Sequence, residues 1–292
     1  MKMAKQKITD VLKTGKILVS DGAWGTFLYQ KGLKSGECPD EWSLTHYDIV
    51  RDVARSYFET GSDMVQTNSF GANRFKLQHF GLQDKVAEIN VAAARASREA
   101  AGDDRYVIAS IGPTGKMLLM GDVTEEEFYD CFREQAVAGE KAGADFAAIE
   151  TMSDLAELEA AILAVTENTG LPVLATMTFN KAGRTFTGCT PESFAETVQR
   201  LGVAAAGLNC SLGPSEMYET AERIAKRTSL PLIIKPNAGL PDSRTGLYSI
   251  GPAEFARQML PYAKIGAKII GGCCGTTPEY IRDLKKAFTH VS

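Results

Sequence analysis

Histidine is nearly absent from this chain. There are three in 292 residues, and His46, His79 and His290 each lie in or beside a stretch of helical pattern. They read as surface residues, so a metal centre or acid–base site built on imidazole is not expected. No apolar run is long enough to cross a bilayer. The first ten residues are polar and lack the apolar segment of a secretory signal. Basic clusters are missing and the formal net charge is −4, which leaves a nucleic-acid backbone no counter-charge to meet. Linkers, internal repeats and low-complexity segments are also missing, so residues 1–292 are expected to form one domain. Six cysteines without a secretory signal read as reduced thiols, and the expected location is the cytoplasm. Cys38 and Cys131 read as small buried hydrophobes.

Alternation is what the chain has in abundance. Apolar, β-rich runs recur at residues 17–21, 64–69, 106–111, 146–150, 173–179, 204–209, 232–236 and 267–270. Their continuous apolar character fits parallel strands covered on both faces. Helical patterns fill the intervals at 43–60, 84–101, 124–142, 153–169, 191–201, 214–228, 252–265 and 278–288. Thr124-Glu125-Glu126-Glu127 is a capping-box signature. Four helices open on a proline, which at the first helical position costs no hydrogen bond. Gly61, Gly143, Gly170 and Gly266 stand where helices should stop. Eight strand–helix units in this order predict an α/β fold, a (β/α)8 TIM barrel, with an open doubly wound sheet as the competing architecture.

In such a barrel the reactive residues lie at the C-terminal strand ends. Those ends carry Asp21, Asn68, Gly112, Glu150, Asn209-Cys210, Asn237 and Cys273-Cys274. Neighbouring side chains on a regular strand face opposite ways, so Cys273 and Cys274 share a partner only if the strand breaks. The flanking glycines of Gly271-Gly272-Cys273-Cys274-Gly275 permit that break. With Cys210 they form a set of three thiols suited to a soft cation with one open position, the arrangement of a catalytic zinc. Buried packing thiols or a disulfide are the alternatives. Zn²⁺ with three thiolates carries −1, which makes a poor Lewis acid for a carbonyl but suits an incoming thiol that must stay nucleophilic. The implied chemistry is alkyl transfer to sulfur. Cys189 lies near the same rim and reads as a loop cysteine. Asp21 and Glu150 could together hold an ammonium group, or one of them could pair with a buried Lys or Arg. The small residues after Asp21 leave backbone N–H groups for an anion such as a carboxylate. Lys235, at the seventh strand, is the only candidate for a Schiff-base lysine in an aldolase-type reading.

Gly207-Leu208-Asn209-Cys210, the phrase from Gly271 to Pro278, and Asp21-Gly22-Ala23-Trp24-Gly25-Thr26 together resemble the homocysteine S-methyltransferase family. Thr67-Asn68-Ser69-Phe70, Ile111-Gly112-Pro113-Thr114-Gly115 and Lys235-Pro236-Asn237-Ala238-Gly239 extend the likeness over residues 17–288. Within the family the chain is most similar to the homocysteine-binding barrel of cobalamin-dependent methionine synthase. The resemblance implies a zinc ion on Cys210, Cys273 and Cys274. It implies L-homocysteine held through its amino group by Asp21 and Glu150, and through its carboxylate by amides near Gly22 and Ala23. Asn209 would contact the substrate or support a ligand. The implied product is L-methionine. The implied donor is a methylated corrinoid (cobalamin) on a separate protein or module, because the corrinoid-binding pattern Asp-x-His-x-x-Gly is absent. Betaine- and S-methylmethionine-type donors are the alternatives. Thr151 follows Glu150 where the betaine enzyme carries a tyrosine, which lowers that reading. A non-catalytic zinc- and thiol-binding barrel is the rival from another class.

Overall fold

The computed structural model describes residues 6–289; His290 lies outside them. Eight parallel strands form a nearly closed barrel with helices between them, as the alternation predicts. They are β1 (Leu18–Val19), β2 (Met64–Gln66), β3 (Tyr106–Ile111), β4 (Phe146–Met152), β5 (Val173–Met177), β6 (Ala205–Asn209), β7 (Leu232–Lys235) and β8 (Ala267–Ile270). Pairing runs continuously from β2 up to β8 and then to β1. Among the described residues no helix is long and apolar enough to cross a membrane.

Helix starts follow local chemistry. Thr124 and Glu127 close the capping box at the head of Glu125–Lys141. Proline occupies the first turn of Pro191–Leu201, Pro214–Ala225, Pro252–Met259 and Pro278–Phe288. Two expected helices are interrupted. The pattern at 43–60 divides at His46, whose extended φ of −134° separates Trp42–Thr45 from Tyr47–Glu59. The pattern at 252–265 tightens after Met259 into a 3₁₀ segment, Leu260–Ile265, because Pro261 cannot donate to the α-helical ladder. Gly61, Gly143 and Gly266 take positive φ where helices end, but Gly170 does not. There Thr169 has already left the helix in an extended conformation. An additional short helix, Arg74–Gln78, follows β2.

Strand side chains alternate between two cores. Outward residues such as Val65, Val107, Ile149 and Ile234 meet the helices. Inward residues fill the lumen, where Leu18, Met64, Ile108, Phe146, Leu174, Ile233 and Ile269 make an apolar layer. Ile8, Val11 and Leu12 belong to that cluster and close it from the N-terminal end. Two residues further along the strands, or four beyond Phe146 on β4, the lumen turns polar, with Ser20, Gln66, Ser110, Glu150, Thr176 and Lys235 all buried.

The seam between β1 and β2 depends on Asp63. Its N–H donates to the Val19 carbonyl at 2.7 Å. Its carboxylate accepts from Val19 N–H at 2.8 Å and from Lys285 Nζ at 2.8 Å. Asp63→Ala removes the acceptor that joins the two edges. We expect a loss of about 1–3 kcal/mol, read as a lower urea midpoint with unchanged m-value, and a smaller loss for Asp63→Asn, which keeps one acceptor.

Candidate metal centre and its pocket

β8 ends at Ile270, and the chain turns at once. Thr276 N–H closes a β-turn on the Cys273 carbonyl at 3.1 Å. Gly275 sits third in that turn with φ +82°, the conformation this turn asks of glycine. The turn brings both adjacent thiols to one side, as the glycine flanks suggested. Cys210, one residue past β6, stands opposite. It has φ +62° and Ser211 has φ +61°, a left-handed pair that side chains beyond glycine rarely adopt. Its N–H is tied to the Lys235 carbonyl at 3.1 Å, and Cys273 N–H to the Pro236 carbonyl at 2.8 Å. Three strand ends are thus pinned together by backbone hydrogen bonds.

The three sulfurs lie within 4.8 Å of one another, and Cys210 Sγ and Cys274 Sγ are 3.9 Å apart. Two thiolates about 2.3 Å from a tetrahedral cation stand about 3.8 Å apart, so this set fits such an ion. The thiols share charge unequally. Hydrogen bonds from Cys210 and Cys273, with one from Tyr248, hold Cys274 down to about 3. A bond with Cys273 lowers Cys210, but its bond to Cys274, burial and the Cys274 charge outweigh that and push it up to about 11. Hydrogen bonds to Cys210 and Cys274, then burial, push Cys273 well up. Of the three, Cys274 is the sulfur its neighbours favour as a thiolate, while Cys210 and Cys273 are pushed toward the protonated form. Tyr248 was not legible beforehand. Its ring lies where a side chain on Gly275 would stand.

Other cysteines stay apart. Cys38 and Cys131 are buried, and burial pushes their thiols up to about 11 and about 12. Cys189 is half-buried with its Sγ on the Thr190 carbonyl, outside the three-thiol cluster. His46 and His79 are exposed.

The thiols form part of the wall of a cavity of about 420 Å³, whose lining also includes Gly22, Trp24, Phe70 and Glu150. Glu150 Oε1 accepts from Gln66 Nε2 and Ser110 Oγ, both at 2.5 Å, and no donor among the described residues reaches Oε2. Burial pushes its carboxyl up, against the pull of Lys235, Ser110 and Gln66.

Two expected contacts take a different form. The Asp21 carboxylate is fully buried and accepts four hydrogen bonds. Lys235 Nζ (2.7 Å) and Ser20 Oγ (3.0 Å) fill Oδ1, and Trp24 Nε1 (2.9 Å) and Gln66 N–H (2.8 Å) fill Oδ2. A carboxylate has about four acceptor sites, so Asp21 has none left for a direct ammonium contact. It is the buried ion pair left open above. Ala23 N–H is likewise committed, to the Thr276 carbonyl and hydroxyl, both at 3.1 Å. Among the described residues the N–H groups of Gly22 and Trp24 remain without a partner. Asn209 does not line the cavity. It accepts from Thr151 N–H (2.9 Å) and Thr176 Oγ1 (2.7 Å), and its Nδ2 reaches Thr151 Oγ1 (2.8 Å) and Cys273 Sγ (3.9 Å). Asn237 Oδ1, beyond β7, is buried without a donor among the described residues. Gln66 and Ser110 were missed, although each lies two residues beyond an apolar inward position.

A family model described as homocysteine S-methyltransferase matches residues 18–288. The chain belongs to that family. It is 34% identical over 301 residues to the methionine synthase of Mycobacterium leprae (strain TN), covering 96% of this chain and 25% of that protein. Identity to the methionine synthase of Mycobacterium tuberculosis (strain ATCC 25618 / H37Rv) is 32% over 304 residues, covering 97% and 25%. The chain therefore spans about a quarter of the length of these relatives. Among solved structures it is similar to the homocysteine methyltransferase MmuM from Escherichia coli. The oxidized form superposes with a TM-score of 0.76 at 25% identity, over 94% of this chain and 97% of that one. The metallated form gives 0.77 at 24%, over 96% and 99%, a likeness of fold.

Seating a cation on all three sulfurs must expel the protons on Cys210 and Cys273. Calorimetry at pH 7 in buffers of differing ionisation enthalpy is expected to show net proton release on Zn²⁺ binding. Asn209→Ala is expected to weaken Zn²⁺ binding by about 10–100-fold, measured by chelator competition, through loss of its hold on Cys273.

Proposed function

We propose that this chain binds L-homocysteine and supplies the acceptor side of a methyl transfer that makes L-methionine, with zinc on Cys210, Cys273 and Cys274. The carrying observation is a cavity with three convergent thiols on its wall and Glu150 in the same lining, its Oε2 reached by no donor among the described residues. Zinc held there would acidify a fourth, incoming thiol and, facing three thiolates, leave that sulfur electron-rich. The chain's own residues do the rest. Glu150 Oε2 takes the substrate ammonium, and Asp21 contributes fixed charge from behind the wall. The N–H groups of Gly22 and Trp24 take the carboxylate. Trp24 and Phe70 exclude water from the sulfur. Asn209 orients Cys273 on one side and Thr151 on the other. The sulfur lone pair forms the new S–CH₃ bond as the methyl leaves its donor, and the thiol proton goes to solvent.

The donor we propose is a methylated corrinoid carried by a separate protein or module. Support comes from the methionine synthases that the chain matches over a quarter of their length, and from the absence of a corrinoid-binding pattern here. A betaine- or S-methylmethionine-type donor is the alternative. The barrel is proposed to act as one domain in a reducing cytoplasm, where its thiols stay free.

The test is zinc-loaded protein with homocysteine and, in parallel, methylcobalamin, betaine or S-methylmethionine. Methionine from methylcobalamin is expected. Homocysteine binding without methionine from any donor would mark a non-catalytic thiol-binding barrel, and no binding at all would reject the proposal. Homocysteine affinity should fall by up to about tenfold per unit as pH drops from 8 to 6, because below an ordinary thiol pKa of ~8.5 the bound sulfur must shed a proton. A flat affinity contradicts the thiolate chemistry. Glu150→Gln is expected to weaken homocysteine binding by about 2–5 kcal/mol, read as a raised KM.

A further inference from the structure

Lys235 is the one charged side chain of the barrel lumen whose purpose the site so far leaves unexplained. It closes β7 and is 3% exposed. It does not line the substrate cavity. Instead it faces a separate, largely apolar void of about 10 Å³, shared with Ile108, Ala148, Ile233 and Glu150 and too small for substrate. The same placement speaks against an aldolase-type role. Its Nζ is ion-paired to Asp21 at 2.7 Å, and an ammonium has no lone pair for a carbonyl.

Its second hydrogen bond goes to Gln66 Oε1. A side-chain amide has one accepting and one donating end, and Lys⁺ can only donate. Lys235 therefore fixes which way the Gln66 amide lies. The oxygen turns to Lys235, and Nε2 must turn to Glu150, where it donates to Oε1. Ser110 Oγ donates to that same oxygen. Both protein donors are spent on Oε1, which leaves Oε2 without a donor among the described residues, on a side chain that lines the substrate cavity. Charge follows the same plan. Asp21 and Glu150 bring two negative charges, and Lys235 cancels one. Burial works against the Lys235 charge, but Asp21 and Glu150 more than reverse it. The remainder is one negative charge with one free oxygen, matched to one ammonium.

We propose that Lys235 is a positioning residue: by neutralising Asp21 and locking Gln66 it makes Glu150 present a single free oxygen, so that the pocket selects thiols carrying an α-ammonium group. The inference rests on the homocysteine reading above.

Selectivity is the readout. 4-Mercaptobutyrate matches homocysteine in length and lacks only the amino group. Zinc-loaded wild-type protein is expected to prefer homocysteine in calorimetric titration. Lys235→Met should lower homocysteine affinity by about tenfold or more and leave 4-mercaptobutyrate within about threefold, with one zinc per chain retained. Turnover should show a raised KM with kcat largely kept. A merely structural lysine would weaken both thiols together. Gln66→Met, which leaves the Lys235–Asp21 pair intact, should show the same collapse of preference. If Lys235→Met does not fold, Lys235→Met/Asp21→Asn removes cation and counter-ion together, and the same ratio decides. A preference that survives in these variants overturns this inference alone. A wild-type protein that binds both thiols equally overturns the homocysteine reading and this inference with it.

Discussion

Thiolate charges crowded within 4.8 Å repel one another strongly. Two unit charges at 4 Å cost about 4 kcal/mol at an effective dielectric of 20. In the bare cluster the charge is favoured on Cys274, and Cys210 and Cys273 are pushed up beside it. Only a cation lets all three sulfurs ionise, so the site is poised for a metal before one arrives. The backbone accepts strain to build this arrangement. Left-handed conformations at Cys210 and Ser211 cost about 1–3 kcal/mol each. They persist because the Cys210 N–H is held by β7 and Cys273 by the segment after it. Parallel closure is the underlying requirement. Without β7 between them, β6 and β8 would have no common frame on which to set sulfurs that lie over sixty residues apart in sequence.

Layering of the lumen carries the second half of the chemistry. Each strand alternates with period two, so apolar inward residues are followed two positions on by the polar ones. The apolar layer supplies most of the burial in the lumen and seals the polar layer from the solvent below. A low local dielectric strengthens every interaction above it and makes an unpaired charge expensive. This explains why Asp21, Lys235, Gln66, Ser110 and Glu150 form one connected network rather than separate contacts.

Legibility from sequence followed the range of the signal. The Cys-Cys pair between glycines, the third thiol at another strand end and the eightfold alternation are local patterns, and they led to the barrel and the thiol cluster. Direct contacts were harder to foresee. Asp21 ends an apolar run as an ammonium ligand would, but its four acceptor sites are filled by Ser20, Trp24, Gln66 and Lys235, a fact of packing. Ala23 N–H was lost to Thr276, 253 residues away. Tyr248 reaches Cys274 from a loop with no periodicity to mark it. Gln66 and Ser110 were foreseeable in principle: counting by twos from Met64 and Ile108 places both inside the lumen.

The proposed metal and ammonium subsites are linked through one side chain, Asn209. Thr151 is β-branched and has φ +61°, a costly conformation that falls where the β4–β5 register shifts between Ile149 and Met152. Asn209 grips this residue twice, at its N–H and its hydroxyl, and the same amide reaches Cys273 Sγ. Glu150 immediately precedes the strained residue. Its carboxylate and the thiols are therefore referred to one fixed point between β4 and β6. An amino-acid thiol that must touch both ends then meets a spacing set by the barrel rather than by a loop. On the proposed homocysteine reading, such a spacing would favour one chain length, because a substrate shorter or longer by one methylene would fit its sulfur or its ammonium less well.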